Sequence, residues 1–196
     1  SVAGGPGSGG EYLAAKALER ADLTIRDVNL INVANPDIPA SFEGGAIDAG
    51  ILGSPYAQQI IEEGFGVEIA GDLTPGAMTV TFVGSDNFVS NRPEVAKRFV
   101  LALMQAARLM QGDDFLSEEN VDAYMTYVSA TPEAIAGDAL LVFDPDQQIP
   151  VEDLADVERT HRENGRTEYD EPLDLSGVVN TSFTEWALEV LGPYQE

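Results

Sequence analysis

A glycine-rich turn near the start of the chain carries the residues best suited to binding a ligand. The stretch SVAGGPGSGG runs directly into a strongly helical segment at residues 12–21. A strand, a glycine turn and a helix start in this order expose backbone N–H groups at the positive end of the helix dipole, where anions bind. The turn therefore predicts a site for an oxyanion or a polar head group. Its candidate contact residues are Gly7, Ser8, Gly9 and Gly10.

The spacing within this turn argues against the common nucleotide-binding motifs. The pattern is neither GxGxxG nor GxxxxGK[ST], because no lysine follows the turn. A glycine turn ahead of a helix is also frequently a structural feature with no ligand. The ligand-binding and the structural interpretation both stay open for this turn.

Two further loops are predicted to lie at the same edge of a sheet as the glycine turn. Residues 28–33 and 48–52 each form a predicted strand that ends in a polar loop and a helix. Strands separated by helices of this length imply a mostly parallel sheet, whose ligand crevice lies beyond the carboxyl ends of the strands. The candidate contact residues on these loops are Asn35, Asp37, Ser54 and Tyr56. Asp37 has an equal alternative role as the cap of the following helix.

The remaining pattern predicts an α/β protein with a helical second half. A third strand is predicted at residues 67–70. Helices are predicted at residues 39–44, 55–63, 93–110, 118–128, 132–141, 151–164 and 182–191, where proline starts, polar caps and glycine stops bracket apolar periodicity.

The residues that could carry catalysis or bind a metal are few. The chain has no cysteine, and His161 is its only histidine, predicted to lie on the surface of a polar helix. A single histidine without partners makes neither a histidine-based metal site nor a catalytic triad. The acidic pairs at 113–114 and 118–119 lack the spacing of an EF-hand and are expected at helix starts. We therefore expect no catalytic residue, no metal and no cofactor.

Four blocks, taken in their order and spacing, resemble a known family. They are Gly7-Ser8-Gly9 before a helix, LERADLTIRDVNLINV at 18–33, FEGGAIDAGILGSPYAQQIIEEGFG at 42–66 and NRPEVAKRFVLALMQAA at 91–107. The chain resembles the solute-binding proteins of ABC importers, in the branch that handles sulfonates, taurine, nitrate and thiamine-pyrimidine precursors. The resemblance covers roughly residues 1–112.

The resemblance implies a type II periplasmic-binding-protein fold, in which two lobes hold the ligand between them. It implies lobe two at 1–75, with a parallel-rich sheet flanked by helices. It also implies a returning strand, at 78–83, with the helical C-terminal part of lobe one at 76–196. Chains of this family begin with about half of lobe one, which has no counterpart ahead of the glycine turn. We therefore expect a fragment that supplies one jaw of the site, binds solute weakly or not at all, and associates with a second copy through an exposed sheet edge.

The function implied by the resemblance is capture of a small anionic or polar organic solute outside the cytoplasm, in the periplasm or from a lipid anchor at the cell surface. The implied partners are the solute and an ABC transporter permease. An alternative is an enzyme of the thiamine-pyrimidine-synthase type on the same fold, but that branch carries a cysteine-rich motif and this chain has no cysteine.

The charge balance is strongly acidic. Asp and Glu number 34 against 10 Lys and Arg, which gives a formal net charge of −24. Such an excess repels phosphate backbones and anionic lipid, so we expect neither nucleic-acid binding nor membrane-surface binding. No apolar run reaches the length of a membrane-spanning helix, so direct insertion is not expected. An acidic, lysine-poor surface on a folded protein favours a halophilic protein over an ordinary acidic one.

Overall fold

The computed structural model describes residues 1–53, 55–78, 80–128, 131–137 and 141–195. Within these residues the chain folds as two compact units. The first unit contains Ser1–Val80 and Pro150–Leu175, and the second contains Thr81–Ile149 and Ser176–Glu196. The elements in chain order are β1 (Val2–Ala3), α1 (Gly9–Glu19), β2 (Leu30–Ile31), α2 (Ile38–Glu43), β3 (Ala49–Gly50), α3 (Tyr56–Glu62), α4 (Asp86–Asn91), α5 (Pro93–Leu109), α6 (Glu118–Tyr127), α7 (Pro132–Gly137), α8 (Val151–Glu163) and α9 (Ser182–Leu191).

The first unit is built on a small parallel sheet. Its three strands have the order β2-β1-β3, with β1 in the centre and parallel to both neighbours. Val2 pairs with Leu30 on one side and with Ala49 on the other. The helices α1, α2 and α3 each follow one strand, which is the alternation that the sequence pattern predicts.

A single apolar cluster holds the sheet against its helices. Its buried members are Ala3 from β1, Ile38 from α2, Ile47 ahead of β3 and Ile60 from α3. Partly buried apolar side chains complete the cluster, namely Ile31, Val33, Phe42 and Leu52. Because α2 and α3 bury their apolar faces here, the loops that precede both helices are tied to the sheet.

The helix α8 packs on α1 in the first unit, although more than a hundred residues separate them in sequence. Polar contacts tie the two helices together. The hydroxyl of Tyr12 donates to Asp156 at 2.8 Å, and Lys16 Nζ lies 2.8 Å from the same carboxylate. Arg159 also pairs with Asp156 from the neighbouring turn of α8.

The second unit is helical in its described part. Its centre is the pair α5 and α9, where Met104 and Ala187 are completely buried. Lys97 Nζ lies 5.6 Å from the centre of the Trp186 ring, so the two helices also share a cation–π contact. Arg108 holds the C-terminal segment by donating to Gly192 O at 2.6 Å and to Asp146 at 2.6 Å.

Two predicted strands are wrong. Residues 67–70 form no strand, and neither do the described residues of 78–83. Val67 and Ile69 are 79% and 83% exposed, and Val83 is 90% exposed. A strand forms only where a neighbouring strand accepts its hydrogen bonds, and the described part of the chain offers none to these segments. The apolar character that suggested strands therefore lies on the surface.

The helices are largely where the sequence pattern predicts them, with ends that differ by no more than three residues where the structure describes them. One helix, α4, is not predicted. Ser85 caps it by accepting from Phe88 N at 3.2 Å.

The unit boundary also differs from the expected division after residue 75, because residues 150–175 pack with the N-terminal segment. No helix in the described ranges is both long and apolar enough to cross a membrane.

Candidate functional site

The three loops singled out from the sequence leave the same edge of the sheet. The strands β1, β2 and β3 run parallel, so their carboxyl ends lie together, and each leads into one loop. The first loop is the glycine turn before α1. The second is Ala34–Ile38 before α2, and the third is residues 53–56 before α3. The sheet thus brings these loops to one edge within the first unit.

The glycine turn uses most of its own hydrogen-bonding groups. Ser8 is the N-cap of α1: its hydroxyl oxygen accepts from Gly10 N and from Glu11 N, and it donates toward Gly5 O at 2.5 Å. The N–H of Ser8 donates to Gly5 O at 3.1 Å. Gly9 N–H is the remaining donor of the helix start, since no acceptor for it lies among the described residues.

The glycines of the turn differ in what their space would tolerate. A Cβ on Gly10 would lie 2.8 Å from Gly4 O, so the turn closes only because both residues lack side chains. Gly7 has a φ of +74°, a conformation that other residues adopt only with strain. A Cβ on Gly9 would meet nothing within 4 Å. A side chain at position 9 would therefore extend into open space without a clash.

A buried carboxylate lies behind the glycine turn. Glu11 is completely buried, and its Oε2 accepts from Gly7 N at 2.6 Å. Arg166, in the loop after α8, places Nε 2.9 Å from both carboxylate oxygens of Glu11. The turn is therefore fixed from behind by an ion pair that also occupies the positive end of the α1 dipole.

The second loop forms a short 3-10 helix, Asn35–Asp37, ahead of α2. Asp37 occupies the N-cap position of α2, but its side chain makes no capping hydrogen bond. Asn35 and Asp37 are both exposed. The cap alternative for the Asp37 side chain is thus not realised, and its exposed carboxylate has no hydrogen-bond partner among the described residues.

The third loop starts α3 with Pro55 as the N-cap. Tyr56 is the first residue of that helix and is half-buried. Ser54, the other candidate on this loop, lies outside the described residues.

Two residues near this edge were not predicted from the sequence. Asn32 follows β2, is exposed, and has its Oδ1 3.6 Å from the position of a Cβ on Gly5, which places it beside the glycine turn. The other is Glu11. Its spacing from Ser8 matches the capping-box pattern [ST]xx[DE], a signal present in the sequence, although the carboxylate accepts from Gly7 N rather than from the cap residue.

The contacts between α1 and α8 shift the pKa values of Asp156 and Tyr12. Burial would raise the pKa of Asp156, but hydrogen bonds from Lys16, Arg159 and Tyr12 outweigh it and lower that pKa to about 2. Burial and the hydrogen bond to Asp156 raise the pKa of Tyr12 well above its ordinary value. Asp156 is therefore ionised and Tyr12 neutral across the physiological range.

The other residues considered for catalysis or metal binding, His161 and the two acidic pairs, have no partner group for such chemistry in the described ranges. His161 is half-buried rather than on the surface, and its Nδ1 is buried without a hydrogen-bond partner among the described residues. The acidic pairs lie in the first turns of a 3-10 helix and of α6, as expected. No group of three His, Asp or Glu residues in the described part of the chain could hold a metal ion.

A cleft of about 310 Å³ in the first unit lies at the far end of α1, away from the three loops. It is lined by residues of α1, α8 and the segment between α1 and β2, among them Glu19, Arg26 and Thr160. None of the loop residues named above contributes to it, so we do not assign it to the candidate site.

Comparison with known proteins identifies the family. The model of the NMT1-like family matches residues 2–126, which include β1 to β3 and all three loops. Neither a curated protein nor a solved structure matches the chain. The family contains solute-binding proteins for sulfonates, nitrate and thiamine precursors, and its fold is consistent with the parallel sheet and flanking helices described above. The chain belongs to the NMT1-like family of solute-binding proteins.

Proposed function

We propose that this protein is the extracytoplasmic solute-binding component of an ABC importer. The observation that carries the proposal is the convergence of three loops at the carboxyl edge of a parallel sheet, within the range matched by the family. Ligands of open α/β sheets bind at that edge. The solute is a small polar organic molecule, and the protein releases it unchanged to the permease of the importer.

The proposed contacts follow from the groups left free by the fold. Gly9 offers an unpaired N–H at the start of α1. Asn35 and Asp37 offer exposed polar side chains on the second loop, and Tyr56 offers a half-buried ring on the third. Gly7, Ser8 and Gly10 shape the turn around the donor, and Ser54 completes the proposed set. A small polar solute needs a few such convergent groups beside an apolar surface.

Tyr56 supplies the apolar part of this site. Tyr56 is the first residue of α3, and Ile60 of the same helix is buried in the apolar cluster of the first unit. The ring is therefore held in place by the helix rather than by the loop alone. A planar or apolar body packed on this ring would gain contact area at a low cost in side-chain entropy.

Substitution of Gly9 tests the proposal. The variant Gly9→Val adds a branched side chain next to the Gly9 N–H, at a position where a Cβ meets nothing within 4 Å. It should therefore weaken solute binding about tenfold or more without disturbing the fold. Binding of taurine, nitrate and a 4-aminopyrimidine is measured by calorimetry and by amide chemical shifts. Gly177→Val is the matched control, because a Cβ on Gly177 also meets nothing within 4 Å and the residue lies in the second unit.

The outcomes of this experiment distinguish a role of the glycine turn from a failure of solute binding altogether. The proposal predicts saturable binding of at least one compound, lost in Gly9→Val and kept in Gly177→Val. Equal affinity in both variants would remove the glycine turn from the site. Absence of binding by every compound of the panel would contradict the solute-binding function.

A further inference from the structure

The ion pair behind the glycine turn changes what that turn can bind. A free helix start attracts anions, because its N–H groups and its dipole end both carry positive charge. In this chain the carboxylate of Glu11 already takes that position. It accepts from Gly7 N at 2.6 Å and is completely buried. A second anion at the turn would meet a fixed negative charge behind the same amides.

Arg166 does not restore a net positive turn. Its Nε lies within hydrogen-bond distance of both oxygens of Glu11, so its positive charge compensates the charge of the buried carboxylate. The three loops carry no Lys or Arg in residues 4–10, 34–38 or 53–56, and the second loop adds the carboxylate of Asp37. Two N–H groups of the turn, those of Gly5 and Gly9, have no acceptor among the described residues, so they can donate hydrogen bonds but supply no compensating charge.

We infer that Glu11 is a specificity-determining residue that sets the glycine turn to accept a neutral hydrogen-bond acceptor of the solute and to disfavour an oxyanion. The inference rests on the proposed solute-binding function and narrows its substrate class. Glu11 acts as a positioning residue, because it reaches the solute only through the Gly7 amide and through its charge. The exposed Asp37 carboxylate on the neighbouring loop adds a negative charge that also disfavours an oxyanion.

A matched pair of probes tests this inference. Methanesulfonate and dimethyl sulfone have nearly the same shape, but the first is an anion with three oxygens on sulfur and the second is neutral with two. Each is titrated into the protein at constant ionic strength, and the Gly9 amide shift gives its dissociation constant. The wild-type protein should bind dimethyl sulfone at least as tightly as methanesulfonate.

The variant Glu11→Gln isolates the charge. Its amide oxygen can still accept from Gly7 N, while Arg166 is left uncompensated, so the affinity ratio should shift toward methanesulfonate by about tenfold or more. Glu19→Gln is the matched control. It removes one carboxylate from the same helix at an exposed position where Lys16 is the partner. The control should keep the wild-type ratio.

Three outcomes overturn the inference: tighter binding of methanesulfonate than of dimethyl sulfone by the wild-type protein, an unchanged ratio in Glu11→Gln, or no shift at Gly9 with either probe. The wild-type comparison decides the matter by itself if Glu11→Gln does not fold. Failure of the proposed function looks different, because then no solute of the wider panel shifts the amides of Asn35 and Tyr56, whatever the two probes do at Gly9.

Discussion

Arg166 and Glu11 form an ion pair across 155 residues of sequence, with Arg166 Nε 2.9 Å from each oxygen of a completely buried carboxylate. The pair joins the loop after α8 to the start of α1. It thereby fixes the glycine turn from a distant part of the chain, so the stability of the first unit and the shape of its candidate site depend on one contact.

Removal of Arg166 should therefore destabilise the protein. Arg166→Met leaves the Glu11 carboxylate buried without its cation, which costs about 2 kcal/mol of unfolding free energy after allowance for the partial exposure of Arg166. Urea unfolding at fixed salt measures the loss. Arg98→Met is the control, since Arg98 is exposed and pairs with no carboxylate in the described ranges. Equal losses in both variants would contradict a role for the pair.

Asp156 should make the free energy of unfolding fall more steeply as the pH is lowered into the acid range. Its pKa is lowered from 3.8 to about 2 in the folded state, so its stabilising contribution is complete above pH 4 and disappears as the pH falls through its folded pKa near 2. After discounting for solvent screening, the contribution is about 1 kcal/mol. The difference in unfolding free energy between wild type and Asp156→Asn should shrink over that window. Asp122→Asn, at an exposed position of α6, should differ little from wild type at any pH.

Salt should stabilise the folded protein. With a net charge of −24, self-repulsion is strongest in the compact state and is screened within about 3 Å at 1 M salt. The melting temperature should rise by about 5 °C or more between 0.1 M and 2 M potassium chloride. A melting temperature that stays flat over this range would contradict the halophilic interpretation of the composition.

The exposed apolar segments at residues 67–70 and 80–83 should promote self-association once salt screens the charge. Val83 is 90% exposed and Phe82 is 68% exposed. Val83→Lys should lower the mass-average molar mass seen by light scattering in 2 M potassium chloride. Gln105→Lys adds the same charge at an exposed position of α5 and should not. A monomeric wild-type protein at high concentration would show that these segments have no such role.

The parts of the fold that the sequence predicts correctly are those with local causes. The turn before α1 is visible because Ser8 caps the helix and Gly10 permits its close approach to Gly4. The helix α5 is visible because Pro93 starts it and its apolar residues recur at helical spacing. Even the missed helix α4 carries a local signal in its cap, Ser85.

The parts that the sequence does not predict depend on distant partners. Residues 67–70 have strand-like composition, but whether they pair is decided by neighbours elsewhere in the chain. The role of Glu11 depends on Arg166, and nothing near residue 11 indicates that a carboxylate there would be buried. The charge preference that we propose for the site depends on this non-local contact, whereas the glycine pattern alone predicts only an oxyanion or a polar head group.

The central claim is that the loops after β1, β2 and β3 bind one solute together. A heteronuclear NMR titration of the whole chain with the solute panel tests it most directly, because amide shifts report weak binding residue by residue. The claim predicts that a single compound moves the amides of Gly9, Asn35 and Tyr56 along one saturation curve. Shifts confined to one loop, or saturable shifts at residues away from this edge with none at these three, would contradict it.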